Sequence, residues 1–255
     1  LYIGCPNCQA GRQERQLDWS PERPGEIFCR FCKHRYPSVK YPMSKTLEVR
    51  NPRGETQRYP YWENASGYRY YFAAKRDDLV RDYLATQARS LALLYVATRN
   101  LDYARRSALI LDRFAQVFPG WCYHFDYPFH QKEIYEGPVP PEKFRPGMRT
   151  ARWSAWGYND MPLPLLEAYD QIRDVGVLSG EAKQRIERDL FRTIADYMLA
   201  NPEAYSNMSP RLWGSLVRVG RIVGERRYVD EPAARIRNML RDRFYYDGFW
   251  AEGSP

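Results

Sequence analysis

The chain has 255 residues, 44% of them hydrophobic and 27% charged, a balance that is ordinary for one large globular domain or two small ones. No apolar run approaches the ~20 residues of a membrane-spanning helix. The net charge of +8 is typical of a protein with an acidic partner, such as a nucleic acid, an anionic membrane or an anionic polysaccharide. It is equally typical of a GC-rich genome, because the basic residues are mostly arginines spread along the chain. Aromatic residues make up 15%, and their flat faces suit sugar rings, unstacked bases or a large helical core.

Residues 1–45 are predicted to form a zinc-ribbon-like module. Cys5-Pro-Asn-Cys8 and Cys29-Arg-Phe-Cys32 are two Cys-x-x-Cys knuckles, and two such turns can close a tetrahedron of thiolates around Zn2+. Four protein ligands leave the metal no open position, so the expected zinc is structural. Two disulfides are the alternative, and His34 is a possible substitute ligand. Cys122 stands apart and is expected to be a packed thiol.

Residues 46–74 are predicted to form an extended connecting segment or hairpin. Asn51-Pro-Arg-Gly-Glu is a turn-like cluster between two stretches of strand character. We expect the aromatic residues that follow to pack the ribbon onto the next domain; they are Tyr59, Tyr61, Trp62, Tyr68, Tyr70 and Tyr71.

Residues 75–255 have a helical pattern. Apolar residues recur at spacings of three to five from Leu79 to Tyr95 and of three and four from Leu101 to Phe118, which predicts an antiparallel helix pair. Four further helices are predicted. They run through Leu163–Ile172, from Ser179 to Asn201, from about Pro210 to Gly224, and from Asp230-Glu-Pro232 onward.

The helical pattern is interrupted by a long irregular stretch at residues 119–150. Loops of this length inside a compact domain are usually functional. It contains His124 and His130 among aromatic residues, and both are candidates for ligand contact.

Two segments give the chain a family resemblance. Asn207-Met-Ser-Pro-Arg-Leu-Trp-Gly-Ser-Leu, some forty residues ahead of Asp247-Gly-Phe-Trp-Ala-Glu-Gly-Ser-Pro, resembles the heparinase II/III-like and alginate-lyase polysaccharide lyases. The stretch from Arg152-Trp-Ser-Ala-Trp-Gly-Tyr to Ala168-Tyr-Asp-Gln-Ile is similar to an upstream helix of that family. The resemblance covers roughly residues 75–255 and implies a mainly α fold there, an incomplete (α/α) toroid of helical hairpins truncated at its C-terminus. The small zinc-ribbon module with its four cysteines precedes this domain.

The resemblance also implies β-elimination on a uronate-containing polysaccharide. Asn207 would neutralise the substrate carboxylate, which stabilises the developing enolate. The tyrosine base of the family would lie just beyond residue 255, so the chain, whose first residue is Leu1, is expected to be an inactive fragment. Met208 stands where many members have histidine. The alternative role for Asn207 is a helix N-cap. The family implies a periplasmic or secreted location.

We expect the substrate to be contacted from the long loop, from the segment after it and from the closing motif. The predicted contact residues are Tyr123, His124, His130, Arg152, Trp153, Trp156, Tyr158, Asn159, Asp247 and Glu252. Two alternatives remain at this point. One is a glycoside hydrolase that uses Asp247 and Glu252 as acid and base. The other is a protein that binds glycan or, less favoured, nucleic acid without chemistry.

Overall fold

The computed structural model describes residues 3–8, 16–125, 133–135, 152–153, 160–200 and 208–243. Of residues 124, 125, 133–135 and 243 it describes the backbone alone. The chain divides into two compact units, Leu1–Ala85 with Gly120–Tyr158 and Thr86–Pro119 with Asn159–Pro255. The predicted mainly helical character is confirmed, with small antiparallel sheets near the N-terminus.

The first unit begins with a small sheet that carries the second knuckle. Strands β1 (Leu17–Asp18), β2 (Ile27–Cys29) and β3 (Arg35–Tyr36) pair antiparallel in that order. Alternation along β2 points Ile27 and Cys29 inward, and both are fully buried. The surrounding core adds Ile3, Leu17, Tyr36, Tyr41 and Phe72.

A second sheet fills the segment predicted to be extended. It contains β4 (Lys45–Arg50), β5 (Thr56–Glu63) and β6 (Arg69–Tyr70), all antiparallel. The side chain of Asn51 organises the β4–β5 turn, since its Oδ1 accepts from the backbone N–H of Arg53 at 3.0 Å and of Glu55 at 2.9 Å. A third, two-stranded sheet joins β7 (Tyr123–Phe125) to β8 (Glu133–Tyr135).

The tyrosine-rich stretch packs within the first unit. Tyr61 contacts Tyr71 at a ring-centroid distance of 5.2 Å, and Trp62 contacts Tyr70 at 5.1 Å. Trp62 also meets Tyr41 of the ribbon edge-on at 4.9 Å. The contact between Trp62 and Tyr41 attaches the second sheet to the ribbon.

Helix α1 (Phe72–Thr98) crosses the division between the units, and α2 (Leu101–Val117) follows it. Asn100 caps α2 by accepting from the N–H of Asp102. Within the second unit, the Ser107 hydroxyl donates to the carbonyl of Ala88 at 2.8 Å, so α2 lies against the C-terminal part of α1. A 3-10 turn, Phe118–Gly120, ends this pair.

The remaining described helices belong to the second unit. They are α3 (Leu163–Ile172), α4 (Gly180–Arg185), α5 (Thr193–Ala200), α6 (Ser209–Val223) and α7 (Arg227–Arg243). A π-helical segment, Ile186–Arg192, joins α4 to α5 into one continuous run that begins at the N-cap Ser179. Gly224 ends α6 with φ of +69°, as its position after the last apolar residue predicts.

The predicted start of the last helix is wrong. The sequence places Pro232 in its first turn, but α7 begins at Arg227 and Pro232 lies inside it. A short turn leads into this helix, where the N–H groups of Tyr228 and Val229 donate to the carbonyls of Glu225 and Arg226. Proline has no N–H group to donate, so the backbone hydrogen bond from position 232 is missing in the second turn of α7.

Helices α6 and α7 pack closely around a glycine. A Cβ at Gly220 would lie 2.7 Å from Cγ2 of Val229 and 2.9 Å from the carbonyl oxygen of Glu225. Glycine is therefore needed where the two helices meet. Among the described residues, no helix is both long enough and apolar enough to cross a membrane.

Candidate metal centre

The four knuckle cysteines form one cluster, which confirms the prediction that they meet. Their four Sγ atoms all lie within 4.8 Å of one another. Cys5 and Cys32 are separated by 3.6 Å between sulfurs, and Cys8 and Cys29 by 3.8 Å. The knuckles thus interleave, because each short distance joins one cysteine from each knuckle.

This geometry fits a tetrahedral thiolate site. Zinc–sulfur bonds of ~2.3 Å give a tetrahedron with sulfur–sulfur edges of about 3.8 Å. The alternative of two disulfides is not what the structure shows, since all four residues are free thiols and their sulfurs lie far beyond the bond length of about 2.05 Å. The cluster could therefore hold a metal ion.

Backbone hydrogen bonds set the cysteines in place. The N–H of Cys5 donates to Oε1 of the fully buried Gln16 at 2.8 Å, which ties the first knuckle to the ribbon. In the second knuckle, the N–H of Lys33 donates to the carbonyl of Cys29 at 3.0 Å. The N–H of Cys29 in turn donates to the carbonyl of His34 at 2.9 Å, so the turn closes on the β2–β3 pair.

The thiols differ in their environments. Burial raises the pKa of Cys5 to about 12, and burial also raises the pKa of Cys29. Cys32 lies at the surface. Although its partial burial acts in the opposite direction, hydrogen bonds from the backbone at His34 and from the Asn7 amide lower the pKa of Cys32 to about 6. The buried thiols of Cys5 and Cys29 would ionise when a bound cation compensates their charge.

His34 does not join the ligand set of the described residues. Its Nε2 lies 3.0 Å from Oγ of Ser38, and its ring packs on Tyr36 and Tyr41. The structure therefore does not show His34 as the substitute ligand that the sequence made possible. Cys122 is buried away from the cluster, with its sulfur 4.0 Å from the carbonyl oxygen of Arg50.

Two features of the centre were missed in the sequence. The hydroxyl of Tyr36 lies 2.9 Å from Sγ of Cys5, and Gln16 anchors the first knuckle. Alternation along β3 places Tyr36 on the inward face, next to the exposed Arg35. That alternation, four residues past Cys32, is the signal that could have identified the tyrosine.

The predicted substrate residues that are described lie in the first unit, and two of them are buried. Arg152 and Trp153 are 6% and 8% exposed. The Arg152 guanidinium donates to the carbonyl of Trp121 at 3.0 Å and lies over the Tyr123 ring at 5.2 Å. Trp153 stacks on Trp121 at 5.8 Å, and the Arg81 guanidinium lies over the Trp153 ring at 5.0 Å. These side chains make a packed arginine–aromatic cluster.

Several predicted site residues lie outside the described residues. They are His130, Trp156, Tyr158, Asn159, Asn207, Asp247 and Glu252. For His124 the structure gives its place in strand β7. Helix α6 begins at Ser209, and the residue at its N-cap position is Met208, without a side-chain capping bond. The roles predicted for these residues remain predictions.

Comparison with protein-family models, with curated proteins and with solved structures finds no match to this chain.

Proposed function

We propose that Cys5, Cys8, Cys29 and Cys32 hold one structural Zn2+. The observation that supports this is the set of four sulfurs within 4.8 Å of one another, with edges near those of a zinc tetrathiolate. Zinc at such a site has no open coordination position and supplies folding energy rather than chemistry. The three strands of the sheet β1–β3 are only two or three residues long, so a metal bound at their edge would stabilise them.

We further propose that the chain belongs to a lyase that cleaves a uronate-containing polysaccharide by β-elimination. The observation that carries this proposal is the order of two motifs, Asn207-Met-Ser-Pro followed by Asp247-Gly…Glu252-Gly-Ser-Pro. The net charge of +8 favours an anionic substrate. Helical hairpins such as α6–α7 are the units from which an (α/α) toroid is built. That such hairpins close into a toroid is part of the proposal.

In this reaction the protein has to make a weakly acidic proton removable. The C5 proton of a uronate lies next to a carboxylate, and its removal places negative charge on that group. The Asn207 amide would donate to the carboxylate and stabilise the enolate as it forms. A residue acting as base would take the proton and return one to the leaving glycosidic oxygen, which leaves a carbon–carbon double bond in the new non-reducing sugar.

The test is a cleavage assay with the protein as its gene encodes it. The enzyme is incubated with alginate, with heparan sulfate and with a neutral glucan, and the ultraviolet absorbance of the unsaturated uronide is followed. We expect product from an acidic glycan alone, and Asn207→Ala should lower the rate about 100- to 1000-fold. Asn238→Ala, at an exposed position of α7, is the control and should leave the rate unchanged.

Other outcomes would contradict the lyase. Cleavage products without the double bond would favour the hydrolase that uses Asp247 and Glu252. Full activity in Asn207→Ala would remove the role proposed for that residue. Tight binding of an acidic polymer without any cleavage would favour a binding protein.

A further inference from the structure

A groove of about 370 Å³ lies beside the second knuckle, in the first unit. Its volume falls within the range of pockets that hold small ligands. Among the described residues, its charged lining consists of three cations, Arg23, Lys33 and Arg35, and two carboxylates, Glu22 and Glu26. The groove therefore has one positive charge in excess.

Of these three cations, Lys33 is the one that pairs with no carboxylate of the described residues. Glu26 accepts from Arg23 at 3.4 Å and also pairs with Arg35, and Glu22 accepts from the Ser20 hydroxyl. The Lys33 ammonium donates to the backbone carbonyl of Arg30 at 2.7 Å, and among the described residues it has no acidic partner. An ammonium bound to one neutral carbonyl retains two donors for an anion.

The backbone at Lys33 is unusual for a lysine. Its φ is +61°, in the left-handed region that glycine adopts without steric cost. The knuckle requires this conformation, because the N–H of Lys33 closes the turn on the carbonyl of Cys29 at 3.0 Å. Glycine would fit the turn without this cost, and the residue present is instead a lysine whose ammonium lies beside the groove.

We propose that this groove binds an acidic sugar. Lys33, aided by the outer edges of the two arginines, would pair with a carboxylate or sulfate. The oxygens of Glu22 and Glu26 would accept from neighbouring hydroxyl groups, and the half-buried ring of Phe28 offers an apolar face to the sugar ring.

The mixed lining distinguishes this ligand from a nucleic acid. The sugar–phosphate backbone of DNA carries an anion at every residue but has no hydroxyl group that could donate to the two carboxylates. An acidic sugar carries one anionic group next to several neutral hydroxyl donors, which matches one unpaired cation among acceptors. The inference goes beyond the lyase reaction and does not depend on it, because it concerns binding at the ribbon.

The experiment is a titration of the metal-loaded protein followed by amide NMR shifts. The probes are an alginate octasaccharide, which carries carboxylates, a heparin octasaccharide, which adds sulfates, and single-stranded DNA of similar charge. We expect saturable shifts at Ser20, Phe28 and Lys33 with at least one saccharide, and the two saccharides show whether sulfate is required. DNA should produce weaker shifts there.

Lys33→Gly is the decisive variant, since it removes the ammonium and also removes the steric cost of the left-handed backbone at residue 33. It should lower saccharide affinity about tenfold while metal content is kept and the melting temperature is not lowered. Lys33→Asn, which also tolerates the left-handed conformation, should show the same loss. Arg58→Gln removes one exposed charge from strand β5 and is the matched control. Unchanged affinity in Lys33→Gly, shifts confined to other residues, or stronger binding of DNA in the groove would overturn the proposal.

Discussion

The Tyr36 hydroxyl lies 2.9 Å from Sγ of Cys5, and both residues are buried. Burial, together with the neighbouring Cys5, raises the pKa of Tyr36 well above its usual range, so this phenol stays protonated. When Cys5 binds a metal as a thiolate, Tyr36 can therefore donate to it. The ring is fixed by stacking on Phe72 at 4.4 Å, which makes Tyr36 an orienting partner of the ligand.

Replacing Tyr36 with phenylalanine tests this relationship. Tyr36→Phe keeps the ring and removes the hydroxyl, and loss of such a partner typically lowers metal affinity about 10- to 100-fold. Competition with a chromogenic chelator measures the affinity. Tyr83→Phe, at a partly exposed tyrosine of the same unit, is the control. Equal affinity in the two variants would mean that the hydroxyl does not support the centre.

A buried ion cluster near the start of α1 predicts that removal of a single charge will strongly lower the stability of the fold. Asp78 pairs with Lys75 at 2.7 Å and with Arg81 at 2.8 Å, and the three side chains are 9%, 10% and 13% exposed. Asp78→Asn would remove the carboxylate that pairs with the buried Lys75, although Arg81 keeps its pair with Asp82 at 2.7 Å, and should lower the free energy of unfolding by about 3–5 kcal/mol. Asp77→Asn, whose side chain is 66% exposed, should change it by less than about 0.5 kcal/mol. Urea denaturation compares the two.

The same cluster predicts how stability changes in acid. Burial acts to raise the pKa of Asp78, but nearby positive charges, among them those of Arg81 and Lys75, outweigh it, and the pKa is held far below the usual aspartate value. Since the folded-state pKa is depressed, the stabilisation is present above the unfolded-state pKa of ~3.9 and is lost as the pH falls below it. Wild-type stability should therefore fall more steeply below about pH 4 than that of Asp78→Asn. Parallel curves for the two proteins would contradict this.

Two glycines of α6 predict opposite effects of the same substitution. Gly220→Ala would press a methyl group against Val229 and the Glu225 carbonyl, at 2.7 and 2.9 Å, and should cost about 1–3 kcal/mol. A Cβ at Gly214 meets nothing within 4 Å, so Gly214→Ala should gain up to about 1 kcal/mol from helix propensity. Thermal unfolding of both variants measures the difference. Destabilisation of both to the same degree would show that α6 does not pack on α7 in this way.

The local pattern of the sequence predicts much of this structure. The spacing of Cys5, Cys8, Cys29 and Cys32 predicts their cluster, because each Cys-x-x-Cys turn places two thiols side by side and two such turns can surround one metal ion. Apolar periodicity locates the helices, and Gly224 ends α6 where expected. Each Cys-x-x-Cys turn and each helix end depends on residues close together in the chain, whereas the contact between the two turns joins cysteines at least 21 positions apart.

Features that depend on distant contacts are not predicted. The sequence suggests that Pro232 begins α7, since nothing local shows that the turn at Glu225 starts the helix earlier. Arg152 and Trp153 suggest a substrate surface, yet Trp121 and Arg81, far away in the chain, enclose them. The approach of Tyr36 to Cys5 likewise requires the packed ribbon.

The metal content of the purified protein tests the central claim most directly. Elemental analysis combined with X-ray absorption should find one zinc per chain with four sulfur neighbours at about 2.3 Å. Replacing Cys8 and Cys29 with serine should remove the metal and expose the segment around β1–β3 to proteolysis, whereas Cys122→Ser should keep the metal. A protein without zinc, one with bound iron, or one in which oxygen or nitrogen replaces a sulfur would contradict the account.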